Sequence, residues 1–235
     1  MEKSGIPISF KIAGNGLFDF ASSLKDAVDI KDARSGRYIY CNKRNLKLYG
    51  FDNHDQVLGL TVHDLDYVMR PYWGPLFADA ISLLDKRIVI SGNTKKDEDR
   101  AFLNRDGLIR VISAIKTPLL NERNRISAIM CISYDMTKQV NCLEILKLYK
   151  QSYKRKRDAI QMFMRHIKVE HYFTKRLTEK EVLCLLHMKH QNSYLEISKS
   201  LFISVKTVET HMSNLISKLK DKDLARLMLH LRKSA

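Results

Sequence analysis

The feature that most constrains the fold is a series of three helix starts near the C-terminus. Thr178 and Glu181 have the S/T-x-x-E spacing of a capping box, in which each side chain satisfies the exposed backbone amide of the other. Ser193 and Glu196 repeat this spacing, and after a brief turn Ser204 suits the N-cap of a further helix. Two helices joined by so short a turn predict a helix-turn-helix, whose second helix enters the major groove of DNA.

Apolar residues after each start indicate how far the helices run and which sides are buried. The first helix is expected to end near Lys189 and the third near residues 218–220. The residues expected to face inward are Leu195, Ile197 and Leu201 in the second helix, and Val208, Leu215 and Leu219 in the third.

The charge of the chain is strongly positive and unevenly distributed. There are 41 Lys and Arg residues against 26 Asp and Glu residues, a net charge of +15. Residues 139–235 hold 20 basic and 9 acidic groups, so this shorter part carries +11. Such an excess is typical of a polyanion-binding protein and predicts that DNA is bound by the C-terminal part. A generally solvated basic surface is the alternative.

The C-terminal residues resemble the LuxR-type helix-turn-helix. The family pattern L-T-x-x-E, followed by E-I-A-x-x-L-x-I-S-x-x-T-V-x-x-H-x-x-x-I-x-x-K-L, corresponds here to LTEKE at residues 177–181 and EISKSLFISVKTVETHMSNLISKL at residues 196–219. Gln191 stands where the family usually has glycine, Phe202 where it has a small residue in the turn, and Leu224 where arginine is common. The first two departures concern turn geometry rather than the groove-facing surface.

The resemblance assigns roles on the third helix. It places Glu209, Thr210 and Ser213 at base-reading positions, where a glutamate accepts from cytosine N4 and a threonine methyl contacts a thymine methyl. His211 is expected mainly to pack rather than to contact phosphate. The residues expected at DNA phosphates, which fix register without reading sequence, are Lys206, Thr207, Lys218, Lys220 and Lys222.

A last helix is expected after Asp223, which suits its N-cap. In LuxR-type proteins this fourth helix commonly pairs two DNA-binding domains, so the resemblance implies a homodimer. The apolar residues expected at that contact are Leu224, Leu227, Met228 and Leu231. The alternative is that the same stripe is core packed against the first helix of the domain.

The N-terminal part mixes strand and helix signals. A glycine-containing turn separates two short β-prone runs, and a helix from residue 42 is expected to stop at Gly50. A second helix is expected over residues 74–84. The predicted strands are residues 27–31, 38–41, 88–94, 99–103, 108–119 and 126–134.

These N-terminal segments resemble a PAS domain. The matching segments are residues 35–51, 57–65 and 104–137, and the Asp135-Met136-Thr137 ending is similar to the D-[IM]-T that closes many PAS domains. The expected fold class is therefore α+β. It comprises an N-terminal segment (1–17), a PAS sensor domain of antiparallel sheet and short helices (18–138), a helical basic linker (139–176) and an all-α, four-helix LuxR-type domain (177–235).

The linker is expected to form one or two amphipathic helices, because glycine and proline are absent from residues 139–176. Its apolar residues at helical spacings are Leu143, Leu146, Tyr149, Tyr153, Ile160, Phe163 and Ile167. Such helices are able to pair with a partner copy. The alternative is a linker packed on its own PAS domain.

The PAS ligand is not defined by the sequence. Residues 42–51 lack the cysteine of the photoadduct flavin type, and residues 74–84 lack the histidine that haem types usually take from this helix. The lactone-binding W-x-Y-x-x-D pattern does not occur around Trp73. The cofactor is therefore unknown, and a small-molecule ligand or simple dimer contacts remain as alternatives. Four scattered cysteines without a CxxC indicate reduced thiols rather than a metal site.

The predicted function is a dimeric, sequence-specific DNA-binding transcription regulator. It is expected to be cytoplasmic, since signal-peptide and membrane-spanning patterns are missing. The resemblance implies a bacterial source and RNA polymerase as a partner. A PAS-linked histidine kinase or nucleotide cyclase is disfavoured because no glycine-rich phosphate loop is present. The remaining alternative is an adaptor whose basic C-terminus binds polyanions without sequence preference.

Overall fold

The computed structural model describes residues 10–11, 16–190 and 192–233, without the side chains of Phe10, Lys11, Glu98 and Lys233. The chain divides into two compact units, Met1–Thr137 and Lys138–Ala235. Within the described residues, no helix is long and apolar enough to cross a membrane.

The first unit is built on one sheet. Its strands are β1 (Phe10–Lys11), β2 (Ala27–Asp32), β3 (Tyr38–Cys41), β4 (Lys95–Leu103), β5 (Ile109–Leu120) and β6 (Ile126–Asp135). The order is β1-β5-β6-β2-β3, and β4 also pairs with β5. Every pairing is antiparallel except that of the short β1 with β5.

Four helices accompany the sheet: α1 (Gly16–Ser23), α2 (Lys43–Tyr49), α3 (Val62–Met69) and α4 (Phe77–Ser91). Asn42 starts α2, because its side-chain oxygen accepts hydrogen bonds from Asn45 N at 2.9 Å and from Val28 N at 3.1 Å. Gly50 ends α2 with φ +80°, as expected from the sequence. One core cluster joins α2, α3 and α4 to the sheet around Trp73, and its largest members are aromatic. Helix α1 packs on the sheet in a second cluster.

The Asp135-Met136-Thr137 ending closes this unit by hydrogen bonds. Val111 N donates to Thr137 Oγ1 at 2.9 Å, and Thr137 N donates to Asp135 Oδ1 at 3.0 Å. These bonds tie the end of β6 to β5, which is a physical role for the motif.

The predicted strand at residues 88–94 is wrong. Helix α4 continues through Ser91 and ends at Gly92, which has φ +66°. The run of β-branched residues from Ile88 to Ile90 has the local composition of a strand. Tertiary packing overrides that preference, because Ile88 is fully buried on the side of α4 that carries Ile81. Helices α1 and α3 were not expected from the sequence.

The second unit is entirely helical apart from one isolated β-bridge in its described residues. Its helices are α5 (Cys142–Ser152), α6 (Lys156–His166), α7 (Glu179–Lys189), α8 (Tyr194–Leu201), α9 (Val205–Ser217) and α10 (Leu224–Lys233). Helix α7 contacts α5, α6, α9 and α10, and α8 packs on α9.

The linker helices do not present the exposed apolar surface that pairing with a partner copy would need. Helices α5 and α6 of the linker pack on each other and on α7, so most of its apolar residues are interior. Tyr149 and Phe163 are fully buried, and the Tyr149 hydroxyl lies 3.0 Å from His166 Nδ1. Among the linker residues singled out from the sequence, Leu143 stays exposed. The linker helices therefore extend the DNA-binding unit.

Candidate nucleic-acid interface

Side-chain caps set the positions of α7, α8 and α9. Both predicted capping boxes are present: Thr178 N donates to Glu181 Oε2 at 2.7 Å, and Ser193 N donates to Glu196 Oε2 at 2.6 Å. Thr207 N donates to Ser204 Oγ at 3.0 Å, which starts α9. These bonds confirm the three helix starts. Donation from Ser193 to the Glu196 carboxylate also lowers the pKa of Glu196.

The turn between α8 and α9 contains an unusual residue. Phe202 has φ +54° and is 95% exposed. Ile203 N donates to Ser198 O at 3.0 Å, so the turn satisfies the end of α8 in the way a glycine C-cap usually does. A bulky residue rarely adopts this conformation. Gln191, the other turn departure, lies outside the described residues.

Helix α9 has one buried face and one exposed face. Val208 and Leu215 are buried, as expected, together with Met212, and Leu219 is buried just beyond the end of the helix. His211 is half-buried. The residues exposed on the opposite side are Lys206, Glu209, Thr210, Ser213 and Asn214. In α8, Ile197 is buried, but Leu195 is 54% exposed, so the inward orientation expected for Leu195 is wrong.

The exposed polar side chains of α9 differ in whether their hydrogen-bonding groups are already used within the helix. Thr210 Oγ1 donates to Lys206 O at 2.9 Å, so its hydroxyl proton is used inside the helix. Among the described residues, the exposed Glu209 carboxylate has no hydrogen-bond or ion-pair partner. Glu209 is thus a free acceptor, while Thr210 retains its methyl group for an apolar contact.

Lys218 is not placed as a phosphate-binding residue. Its Nζ lies 2.7 Å from both carboxylate oxygens of Glu181, and its side chain is only 19% exposed. Its carbonyl accepts from Thr174 N at 2.8 Å. The charge of Lys218 is therefore neutralised inside the unit, and the expected phosphate contact is not supported. Sequence reasoning missed this pair, since Glu181 was interpreted only as a capping residue.

The other expected phosphate residues lie at the two ends of α9. Lys206 is exposed in its first turn, and the Thr207 hydroxyl lies 2.8 Å from the Ser204 hydroxyl. Lys220 and Lys222 are exposed beyond the C-terminal end. Lys220 N donates to Tyr172 O at 3.0 Å, which fixes this segment to the preceding chain.

The apolar stripe of α10 is core rather than a free dimer surface. Arg226 N donates to Asp223 Oδ1 at 2.9 Å, so the predicted cap is present. Leu227, Met228 and Leu231 are 0, 8 and 1% exposed, respectively, since α10 packs on α7. Leu224 packs partly against the cluster of α7, α8 and α9. For Leu227, Met228 and Leu231 the structure supports the alternative of internal packing, whereas Leu224 is half-buried.

A second candidate site, which the sequence did not indicate, is a charged cluster inside the first unit. Lys31 Nζ lies 2.7 Å from Asp85 Oδ2, and Lys116 Nζ bonds the other oxygen of Asp85. Asn45 Nδ2 donates to Asp29 Oδ2 at 3.1 Å. Lys31 and Lys116 are both 3% exposed as residues, so the cluster is buried.

Burial and charge act in opposite directions on the two aspartates. Burial raises the pKa of Asp29, and it outweighs the nearby ammonium groups of Lys31 and Lys116. Burial would also raise the pKa of Asp85, but the two lysines that bond it directly lower the pKa overall. The neighbouring Cys131 thiol has its pKa raised by burial to about 11, so it stays protonated at neutral pH.

Next to this cluster, buried donors lie among aromatic rings. Trp73 Nε1 and Arg100 Nη1 have no hydrogen-bond partner among the described residues. The Trp73 and Phe77 ring centroids are 4.5 Å apart, and Arg100 lies over the Phe77 ring. The site offers donors and aromatic surface. Within the described residues, no group of three or more His, Cys, Asp or Glu is placed to hold a metal ion.

Comparison with known proteins gives matches on both units. The family model "Bacterial regulatory proteins, luxR family" matches residues 175–231, and the PAS fold model matches residues 21–141. A search of curated proteins found no match.

Three solved structures illustrate the similarity. A Vibrio cholerae VqmA–ligand–DNA complex is 20% identical, with a TM-score of 0.46 over 94% of this chain and 88% of that one. A phage VqmA–DPO complex is 22% identical, with a TM-score of 0.45 over 94% and 85%. The PAS domain of Bordetella pertussis BvgS is 19% identical, with a TM-score of 0.46 over 59% and 97%.

The two family matches coincide with the sheet-containing unit and with the helix-turn-helix. The PAS model covers more than half of the chain, so the chain belongs to the PAS-fold family and, with the luxR-family match at its C-terminus, is a LuxR-type DNA-binding regulator with a PAS domain.

Proposed function

We propose that this chain is a sequence-specific transcription regulator that binds DNA as a dimer and is controlled through its PAS unit. The observation that carries the proposal is the exposed face of α9, where a free carboxylate and a methyl-presenting threonine lie one residue apart. The helix is held rigidly beneath, because Val208, Met212 and Leu215 are buried. A rigid helix with a polar outer face is what major-groove readout requires.

Base reading is assigned to Glu209, Thr210 and Ser213. Glu209 has a free carboxylate that would accept from a cytosine amino group in the groove. The Thr210 hydroxyl proton is used by Lys206 O, which favours a methyl contact with thymine over a hydrogen bond. Ser213 lies one helical turn further along the same exposed face and can donate or accept.

Phosphate binding is assigned to Lys206, Thr207, Lys220 and Lys222. These residues bracket α9 at its two ends, so phosphates on both sides of the groove would fix its depth and register. Lys218 is omitted, because its ammonium group is bonded to Glu181. We expect Lys206→Ala to weaken binding to all sequences similarly and to reduce the salt dependence by about one phosphate contact.

Dimeric binding is proposed because a single helix-turn-helix unit reads few base pairs, and linking two units raises the affinity for paired half-sites. The buried stripe of α10 is not available for this contact. The exposed apolar residue of α10 is Leu229, at 55%, and it lies on the side away from buried Leu227, Met228 and Leu231. We place any pairing of the DNA-binding units through α10 at Leu229.

The PAS unit is proposed to sense a small molecule in its interior. Trp73 Nε1 and Arg100 Nη1 are buried donors that a ligand oxygen or ring nitrogen would satisfy, and the Arg100 guanidinium also pairs with Asp97. Action in the cytoplasm, with RNA polymerase as the protein partner, is carried over from the family resemblance.

The test is selection of bound DNA from a random duplex pool, with the wild type and Glu209→Ala side by side. We expect an inverted repeat, with the variant relaxed at one position in each half-site and discrimination there reduced about tenfold. Glu144→Ala, an exposed glutamate on α5, is the matched control and should recover the unaltered repeat. Binding without any enriched sequence would refute base readout and favour the adaptor alternative.

A further inference from the structure

Helix α4 carries an apolar stripe on the side that faces away from the PAS core. Leu76, just before the first turn, is 71% exposed, and Leu83 and Ile90 are 51 and 86% exposed. A spacing of seven residues aligns these three side chains within about 40° of arc on an α-helix. The inner side of the same helix, which includes Ile81 and Ile88, is buried. The stripe is therefore separate from the core.

An aligned stripe differs from scattered exposed leucines. Single exposed apolar residues are normal on protein surfaces, whereas a row aligned on one helix face, here at intervals of about 10 Å, is typical of a contact surface. The distance from Leu76 to Ile90 along the helix is about 21 Å at the usual rise per residue. That length is enough for a helix pairing of four turns.

Charged residues flank the stripe in a particular arrangement. Asp79 and Lys86 are exposed on one flank, and Ala80 and Arg87 are exposed on the other. Asp79 Oδ1 lies 3.9 Å from His63 Nδ1, and both of these side chains are largely exposed. One flank thus carries two opposite charges, Asp79 and Lys86, seven residues apart. The other flank carries a small side chain, Ala80, seven residues before a long one, Arg87.

This arrangement is complementary to itself. If two copies of α4 pair antiparallel about a twofold axis at Leu83, Leu76 of each copy meets Ile90 of the other. On the shared flank Asp79 meets Lys86 of the second copy, twice by symmetry. On the other flank Arg87 lies over the small Ala80. A parallel pairing about an axis along the helices would instead place Asp79 and Lys86 opposite the Ala80 and Arg87 flank, so the two Asp79–Lys86 contacts would not form.

We infer that the outer face of α4 (Leu76, Asp79, Leu83, Lys86 and Ile90) is a contact between two copies of this chain, formed antiparallel about Leu83. The inference rests on the proposed function in one respect: the regulator is proposed to be a dimer, and the α4 contact would supply that dimer. The same helix carries Asp85, which is bonded to Lys31 and Lys116 inside the PAS unit. A rearrangement of that cluster would therefore act directly on the dimer contact.

Charge reversal tests the register in the full-length chain. We expect Asp79→Lys and Lys86→Glu each to raise the dimer dissociation constant about tenfold in analytical ultracentrifugation, since each creates two like-charge contacts by symmetry. The double variant should return to within about threefold of the wild type. Lys43→Glu, on the exposed side of α2, is the control and should leave the constant unchanged.

Disulfide cross-linking tests the position of the twofold axis at Leu83. Leu83→Cys, in a Cys142→Ser background, should form a covalent dimer on mild oxidation, because side chains on a twofold axis between paired helices come within disulfide reach. Leu58→Cys, at an exposed leucine elsewhere in the PAS unit, should not. Cross-linking by both variants to the same extent would reflect random collision and would overturn the inference.

Two results separate this inference from the proposed function. If the charge-reversed variants dimerise as the wild type does while DNA selection still recovers an inverted repeat, the α4 contact is refuted and the regulator stands. If the wild type is monomeric and selects no repeat, both are refuted. Loss of dimer in both single variants, with recovery in the double variant, supports the α4 contact whichever sequence is selected.

Discussion

The two units bury charge in different ways. In the DNA-binding unit, Glu181 is 2% exposed and its carboxylate both caps α7 and bonds Lys218. In the PAS unit, Lys31 and Lys116 come from β2 and β5 and meet Asp85 of α4. The first arrangement combines a local helix cap with one tertiary ion pair. The second is assembled wholly by the tertiary fold.

The difference indicates what each cluster does. Buried ion pairs add little net stability compared with well-packed apolar residues, but breaking one leaves an uncompensated charge. The Glu181–Lys218 pair joins α7 to the C-terminal end of α9, so it helps to hold the recognition helix. The PAS cluster lies beside the buried Trp73 Nε1 and Arg100 Nη1, so it belongs to the interior that we propose as a ligand site.

The largest expected effect is in the PAS cluster. Asp85→Asn removes the carboxylate between two lysines whose side chains are each 4% exposed, so we expect a loss of about 4 kcal/mol in the free energy of unfolding. Trp73, the single tryptophan, is buried in this unit and reports its unfolding in urea by fluorescence. Asp99→Asn, at an exposed position on β4, should change stability by less than about 0.5 kcal/mol. Equal losses in the two variants would mean that the cluster is not an integral unit.

The DNA-binding unit should respond less. Glu181→Gln keeps a capping side chain but removes the charge opposite Lys218, which is partly exposed and can recover some hydration, so we expect a loss of about 2 kcal/mol. Glu196→Gln makes the same change in the exposed capping box of α8 and should lose less than about 1 kcal/mol. Urea unfolding followed by the helical circular dichroism signal measures both. A Glu196 variant as unstable as the Glu181 variant would indicate that capping, and not the ion pair, carries the effect.

The same contrast explains which features could be predicted from the sequence. The starts of α7, α8 and α9 depend on side chains three residues apart, so they were predicted correctly. The burial of Leu227 and Leu231 depends on α7, more than 30 residues earlier, and a periodic stripe does not say what covers it. A periodic pattern alone supports core and dimer contact equally.

Long-range contacts also account for the other errors. The strand predicted at residues 88–94 failed because Ile88 is buried within a helix that packs on the sheet, and local β-preference does not register that packing. Lys218 was assigned to phosphate because its burial by Glu181, 37 residues away, is not visible in the α9 pattern. The charged PAS interior was missed for the same reason, since each of its residues is ordinary in its own strand or helix.

The smallest expected effect concerns pH and distinguishes the two aspartates of the PAS cluster. Burial raises the pKa of Asp29 in the folded state above the 3.8 of the unfolded chain, so its contribution is fully present below that value and is lost as pH rises through the folded pKa. For Asp85 the folded pKa is lowered, so its contribution is present above the unfolded value and is lost as pH falls through the folded pKa. We therefore expect the stability of the wild type relative to Asp29→Asn to fall as pH rises above the unfolded value, while relative to Asp85→Asn it rises with pH across the acid range. Urea midpoints, followed by Trp73 fluorescence at a series of acid to neutral pH values, give the slope of stability against pH for the wild type relative to each variant. Slopes of the same sign would mean that the two carboxylates titrate as one group bonded equally to Lys31 and Lys116.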